Sequence, residues 1–89
     1  MTVDLYTTAV CPYCVAAKNL LKQRGLDYRE IRVDLDREQF QAMLARSGGR
    51  RSVPQIFIGD VHIGGFDDLA AADRAGRLAE LAAHDAGTA

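Results

Sequence analysis

The stretch Val3-Asp4-Leu5-Tyr6-Thr7-Thr8-Ala9-Val10-Cys11-Pro12-Tyr13-Cys14-Val15 decides how the rest of the chain reads. Val3 to Thr7 alternates with period two, the signal of a short strand. After the cysteines, Val15, Ala16, Leu20 and Leu21 recur at helical spacing. Cys11 therefore falls at or next to a helix N-cap, where unpaired backbone N–H groups and the positive end of the helix dipole favour a thiolate over a thiol. Pro12 suits the first helical position, since its missing N–H costs nothing there and its fixed φ is already helical. A free cysteine titrates near 8.5, and such an environment lowers this into the range of about 3.5 to 7.5. Cys11 is thus expected to be an anion at neutral pH. Cys14, one turn in and less exposed, is placed to attack a mixed disulfide formed on Cys11. Two cysteines so arranged cycle between dithiol and disulfide.

Two other uses of the pair fit the sequence less well. A structural staple closing so short a loop would constrain the unfolded chain by only roughly 2 kcal/mol. Half of a zinc site would need a second ligand pair, and the chain has two cysteines in all, with His62 and His84 too widely spaced to complete one.

The 89 residues, 48% hydrophobic and 26% charged, suit one domain over 1–85 with one core, and a frayed tail over 86–89. A net charge of -1 argues against an electrostatic nucleic-acid binder, which carries a basic excess. Neither a basic and apolar leader nor an apolar run of the ~20 residues a membrane span needs is present, so a cytoplasmic location is expected. A C-x-x-C within a strand-helix-strand unit suits that reducing compartment as a catalytic pair.

Along the chain, the first helix ends at Arg24-Gly25-Leu26, with Gly25 as the left-handed C′ residue and Leu26 as its apolar follow-up. Tyr28 to Val33 reads as a second strand, parallel to the first across a right-handed crossover. Asp36 with Gln39 resembles a capping box, opening a helix with Phe40, Met43 and Leu44 as its apolar stripe and Ser47-Gly48-Gly49 as its end. Gln55 to Ile58 and Val61 to Ile63 flank Gly59-Asp60, a hairpin with a two-residue turn. In this reading Phe57 is core and His62 faces the surface. Gly64-Gly65 then leads into Phe66-Asp67-Asp68 and an Ala-rich helix, and a shorter helical segment is expected from Leu78 to Ala83. The order predicts an α/β fold, a small four-stranded mixed sheet with helices on both faces.

Three motifs in this order resemble the dithiol glutaredoxins of the short bacterial type, within the thioredoxin-like superfamily: Cys11-Pro12-Tyr13-Cys14, Ser52-Val53-Pro54-Gln55 and Gly64-Gly65-Phe66-Asp67-Asp68. The resemblance covers nearly the whole chain and implies a thioredoxin-like fold. It implies a glutathione-dependent disulfide oxidoreductase, with Cys11 as nucleophile and Cys14 as resolving thiol. Pro54 would be cis and beside Cys11, with the Val53 backbone pairing with the cysteine of glutathione much as a strand pairs with an edge. Gly65 and the N–H groups opening the Asp67 helix would take the γ-glutamyl carboxylate, and Asp67 or Asp68 its ammonium. Tyr13 would line the groove, and Arg50 or Arg51, with Arg51 preferred, would meet the glycyl carboxylate. Where many relatives carry a lysine three residues before the first cysteine, this chain has Thr8. The resemblance further implies a monomer, no bound cofactor or metal, glutathione as reducing co-substrate, and glutathionylated or disulfide-containing proteins as partners. Two alternatives stand beside it: a redoxin reduced by a flavoenzyme, and a carrier of a glutathione-ligated [2Fe-2S] cluster, against which Pro12 speaks.

Overall fold

The computed structural model describes residues 2–81. The elements are β1 (Val3–Thr7), α1 (Pro12–Gln23), β2 (Arg29–Arg32), α2 (Arg37–Ser47), β3 (Gln55–Ile58), β4 (Val61–Gly64) and α3 (Phe66–Arg74). Residues 77–81 are again helical. The remainder of the segment expected to reach Ala83, and the tail expected over 86–89, lie outside the described residues.

Most element ends are set by neighbours in sequence. Cys11 is the N-cap of α1 and Pro12 its first residue. At the other end Gly25 has φ +69, its N–H donates to Lys22 O and the Leu26 N–H donates to Leu21 O, the paired bonds of a Schellman end that need a residue free to adopt positive φ. Asp36 caps α2, its Oδ1 accepting from the N–H groups of Glu38 and Gln39. Ile58 pairs with Val61 across Gly59-Asp60, as a two-residue hairpin turn requires.

The sheet order is β2-β1-β3-β4, with β1 parallel to β2 and antiparallel to β3, and β3 antiparallel to β4. This is the four-stranded mixed sheet of the thioredoxin-like architecture. The expectation of one core is corrected here, because helices on both faces make the sheet a partition. On one face Val3, Leu5, Ile56 and Ile58 pack with Ala17 and Leu21 of α1, Leu69 of α3 and Leu78. On the other, Tyr6 and Phe57 pack with Val33 and Met43 of α2. Fully burying a side chain such as Leu21 stabilises by about 1.5 to 3 kcal/mol, and four residues of the first cluster plus Met43 of the second are large side chains with no exposed surface.

Because β1 is covered on both faces, all five of its residues are buried, Asp4 among them. A buried carboxylate needs partners. Arg29 Nε donates to Asp4 Oδ1 at 3.1 Å and Arg46 Nη1 to Oδ2 at 2.9 Å. The same Arg46 nitrogen donates to the Tyr6 hydroxyl, and its guanidinium lies 4.1 Å from the centre of the Phe57 ring. His62 stacks on Phe57 at 4.6 Å between centroids and bonds Gln55 through Nε2 at 2.7 Å. The reading of His62 as a plain surface residue is therefore corrected: it is half-buried on the α2 face. Period-two alternation set it apart from Val61 and Ile63 but could not show that its ring would meet Phe57 and Gln55 on that face.

Candidate functional site

The parallel strand β1 and the loop after it deliver Cys11 to the start of α1. Cys11 has extended backbone (φ -149, ψ 97) and its Sγ accepts from the Cys14 N–H at 3.1 Å. Its carbonyl accepts the first helical bond, from the Val15 N–H. The cap atom is thus the sulfur itself, which puts the dipole and one N–H donor directly on it. The two Sγ atoms are joined as a disulfide with Cα atoms 5.2 Å apart, within the usual span of such a bond. Cys11 is half-buried, whereas Cys14 is 1% exposed. An incoming disulfide can meet only the first of the two.

The approach loop is held by Asp34, just past β2. Its Oδ2 accepts from the Ala9 N–H at 3.2 Å, and both of its oxygens accept from Arg32. The Arg32 bond, partly offset by desolvation, is the largest cause of an Asp34 pKa lowered to about 2, with the Ala9 N–H adding to it.

Opposite Cys11 stands the turn between α2 and β3. The Val53-Pro54 peptide is cis, and Val53 O lies 3.8 Å from Cys11 Sγ. Beside it the β4 to α3 junction brings Gly64 and Gly65 against the same turn. Gly64 has φ +117, and a Cβ there would come within 2.8 Å of Asp68 Cγ. Both backbone and space require glycine. Gly65 is the N-cap of α3, and the Asp68 Oδ2 accepts from its N–H at 2.9 Å. Glycine has no side chain to return the bond, so the first N–H groups of α3 face outward without an intrahelical acceptor.

Together these segments form an open groove of about 250 Å³ lined by Tyr13, Arg50, Ser52, Val53, Pro54 and residues 65–68. Six residues singled out from the sequence meet there: Tyr13, Val53, Pro54, Gly65, Asp67 and Asp68. Arg51 is not brought in; its guanidinium lies over the Phe40 ring at 5.3 Å. Arg50 lines the groove instead, its Nη1 3.7 Å from Asp68 Oδ2. The two adjacent side chains diverge, Arg51 onto the Phe40 ring and Arg50 to the groove. Sequence reasoning missed Phe66, which lies 6.3 Å from Tyr13 between ring centres and floors the groove with it. Its signal was its place inside Gly-Gly-x-Asp-Asp. The groove carries a cation on one wall, and two carboxylates with a helix N-terminus on the other. His62 lies behind it, its pKa lowered by burial first and by Arg50 next.

The glutaredoxin family model matches residues 3–63. The chain belongs to the glutaredoxin family. It is accordingly a thiol-disulfide oxidoreductase of the glutathione-dependent kind, with a disulfide-capable pair at Cys11 and Cys14. A glutaredoxin of Pseudomonas aeruginosa is 52% identical over 79 residues, covering 89% of this chain and 93% of the relative. A probable glutaredoxin of a Synechocystis species is 49% identical over 79 residues, covering 89% of this chain and 90% of the relative. Among solved structures, the glutaredoxin of Brucella melitensis superimposes with a TM-score of 0.77 at 46% identity, covering 90% of this chain and 86% of that one. A buckwheat glutaredoxin-glutathione complex gives 0.78 at 34% identity, covering 89% and 74%. Among the described residues no helix is long and apolar enough to cross a membrane.

Proposed function

We propose that Cys11 is the nucleophile, that Cys14 resolves, and that the groove holds glutathione. The observation that carries this reading is the charge layout beside Cys11: Arg50 on one wall, the open end of α3 with Asp67 and Asp68 on the other. Glutathione is a tripeptide with a carboxylate at each end and one ammonium. Its γ-glutamyl carboxylate meets the N–H groups of Phe66 and Asp67 at the start of α3, and its ammonium meets Asp67 or the outer lone pairs of Asp68. Its glycyl carboxylate meets Arg50, since Arg51 would have to leave Phe40 to reach it. The backbone of Val53, beside Cys11, pairs with its cysteine. Tyr13 and Phe66 supply the apolar floor.

The chemistry is two exchanges through thiolates. The Cys11 thiolate attacks the glutathione sulfur of a protein-glutathione mixed disulfide. The protein leaves as a thiolate, and glutathione stays bonded to Cys11. A second glutathione thiolate then attacks that glutathione sulfur, releasing glutathione disulfide and restoring the Cys11 thiolate. With a protein disulfide, Cys11 forms a mixed disulfide with one substrate sulfur. Cys14 attacks Cys11, expels the reduced substrate and leaves the Cys11-Cys14 disulfide, which two glutathione molecules reduce. At about 250 Å³ the groove falls just below the ~300 to 1,000 Å³ range of small-ligand pockets, which suits a tripeptide left partly exposed so that its protein partner can remain attached. The protein works as a monomer in the cytoplasm, on glutathionylated and disulfide-bonded proteins.

The test is turnover of a glutathionylated peptide with glutathione and glutathione reductase. Cys11→Ser should be inactive in every assay. Cys14→Ser should keep deglutathionylation and lose reduction of protein disulfides. Inactivity of Cys14→Ser toward the glutathionylated peptide would remove the monothiol route.

A further inference from the structure

Between the last turn of α2 and the first residue of β3, residues 48–54 belong to no helix and no sheet ladder, yet they make the cationic wall of the groove. Two buried polar side chains hold this arm from the inside. Ser47 is 8% exposed; its Oγ accepts from the Arg50 N–H at 3.0 Å and approaches Arg50 O at 3.2 Å. Gln55 has no exposed surface; its Nε2 donates to Ser52 O at 3.0 Å and lies 3.3 Å from Ser52 Oγ. With the amide nitrogen so occupied, Gln55 Oε1 faces His62 Nε2 at 2.7 Å, so that imidazole nitrogen carries the hydrogen. The His62 ring is fixed in turn by its stack on Phe57. Every buried side-chain polar atom among the described residues has a partner.

We propose that Ser47 and Gln55 are positioning residues for the glutathione site, gripping the arm at Arg50 and at Ser52. The Arg50 side chain and the Val53 backbone are thereby presented in their bound arrangement before the ligand arrives, with His62 as the brace that fixes the rotamer of Gln55. Neither gripping side chain lines the groove; both act through the backbone they hold. An arm without these bonds would be ordered by the ligand at the expense of affinity. The grip is made equally in the ground state and the transition state, so its loss should raise KM and leave kcat alone.

The proposal rests on the glutathione reading of the groove, and the experiment separates the two. Wild type, Ser47→Ala, Gln55→Met and His62→Phe are assayed on a glutathionylated peptide, with thermal melts alongside. His62→Phe keeps an aromatic ring on Phe57 and removes the bond to Gln55. Ser47→Ala and Gln55→Met should each raise KM by about three- to ten-fold, the scale of one or two neutral hydrogen bonds, with kcat unchanged. His62→Phe should raise KM by less, and should add nothing once Gln55→Met is present. No turnover by wild type would overturn the glutathione reading itself. Wild-type turnover with a wild-type KM in Ser47→Ala and in whichever Gln55 or His62 variant folds would overturn the positioning role alone. So would a loss confined to kcat.

Discussion

Asp68 has two jobs in this site, and substitution can separate them. Its Oδ2 accepts from the Gly65 N–H at 2.9 Å, which tethers the start of α3, and its charge faces the groove 3.7 Å from Arg50 Nη1. Asp68→Asn keeps an oxygen for Gly65 and removes the charge; Asp68→Ala removes both. Losing a helix-start cap costs about 1 kcal/mol, and in a domain of this size that lowers Tm by roughly 4 to 8 °C. Loss of the pairing with Arg50 adds little, because both side chains are about half exposed (47% and 51%) and exposed pairs are worth about 0 to 1 kcal/mol. A charged hydrogen bond to the glutamyl ammonium is worth about 1.5 to 3 kcal/mol, the lower end suiting an open groove, or about ten-fold in KM. Asp68→Asn should therefore melt close to wild type with KM for a glutathionylated peptide up about ten-fold, and Asp68→Ala should share that KM and melt lower. Differential scanning calorimetry and steady-state kinetics on the three proteins decide it. A wild-type KM in Asp68→Asn would assign the ammonium to Asp67, a wild-type KM in Asp67→Asn as well would refute the ammonium site, and a wild-type Tm in Asp68→Ala would refute the tether.

Gly64→Ala places a Cβ at φ +117 and against the Asp68 side chain; backbone strain of about 1 to 3 kcal/mol should show as a clear drop in Tm, together with a raised KM as Asp68 is displaced. For Asp34, a folded pKa lowered from 3.8 to about 2 means that the unfolded chain takes up the proton first. Its contribution to stability is thus fully present above pH 4 and is lost as pH falls through 2; Asp34→Ala should flatten the acid limb of the stability-pH curve in that window. Thr8→Lys adds a cation several ångströms from Cys11 across a wet surface, worth about 1 kcal/mol or less; the reduced Cys11 should titrate lower by roughly half a unit, and thiolate absorbance at low and high salt should show the shift shrinking with screening.

The features legible in the sequence are those that depend on near neighbours in the chain. The Cys11 cap and Pro12 at the helix start, the Gly25 end, the Asp36 cap and the Gly59-Asp60 turn each involve groups within five residues of one another, so the local pattern contains the whole interaction. Element type and order followed from periodicity, and with them the α/β class. Element ends drifted slightly, β2 closing at Arg29–Arg32 rather than reaching from Tyr28 to Val33, because the outermost residues of an edge strand are set by pairing partners. Motif order located most of the groove as well, since Cys11, Val53-Pro54 and Gly65 to Asp68 lie at the ends of elements that one sheet topology brings together.

Tertiary structure alone decided which of two adjacent cations faces the groove, for Arg51 lies over the Phe40 ring of α2 and Arg50 lines the groove. It decided that Asp4 is buried and satisfied by Arg29 and Arg46, partners 25 and 42 residues away. It also turned His62 from a surface position into a brace against Phe57 and Gln55. In each case the deciding contact is made between side chains of separate segments, and a one-dimensional pattern does not record which of them meet.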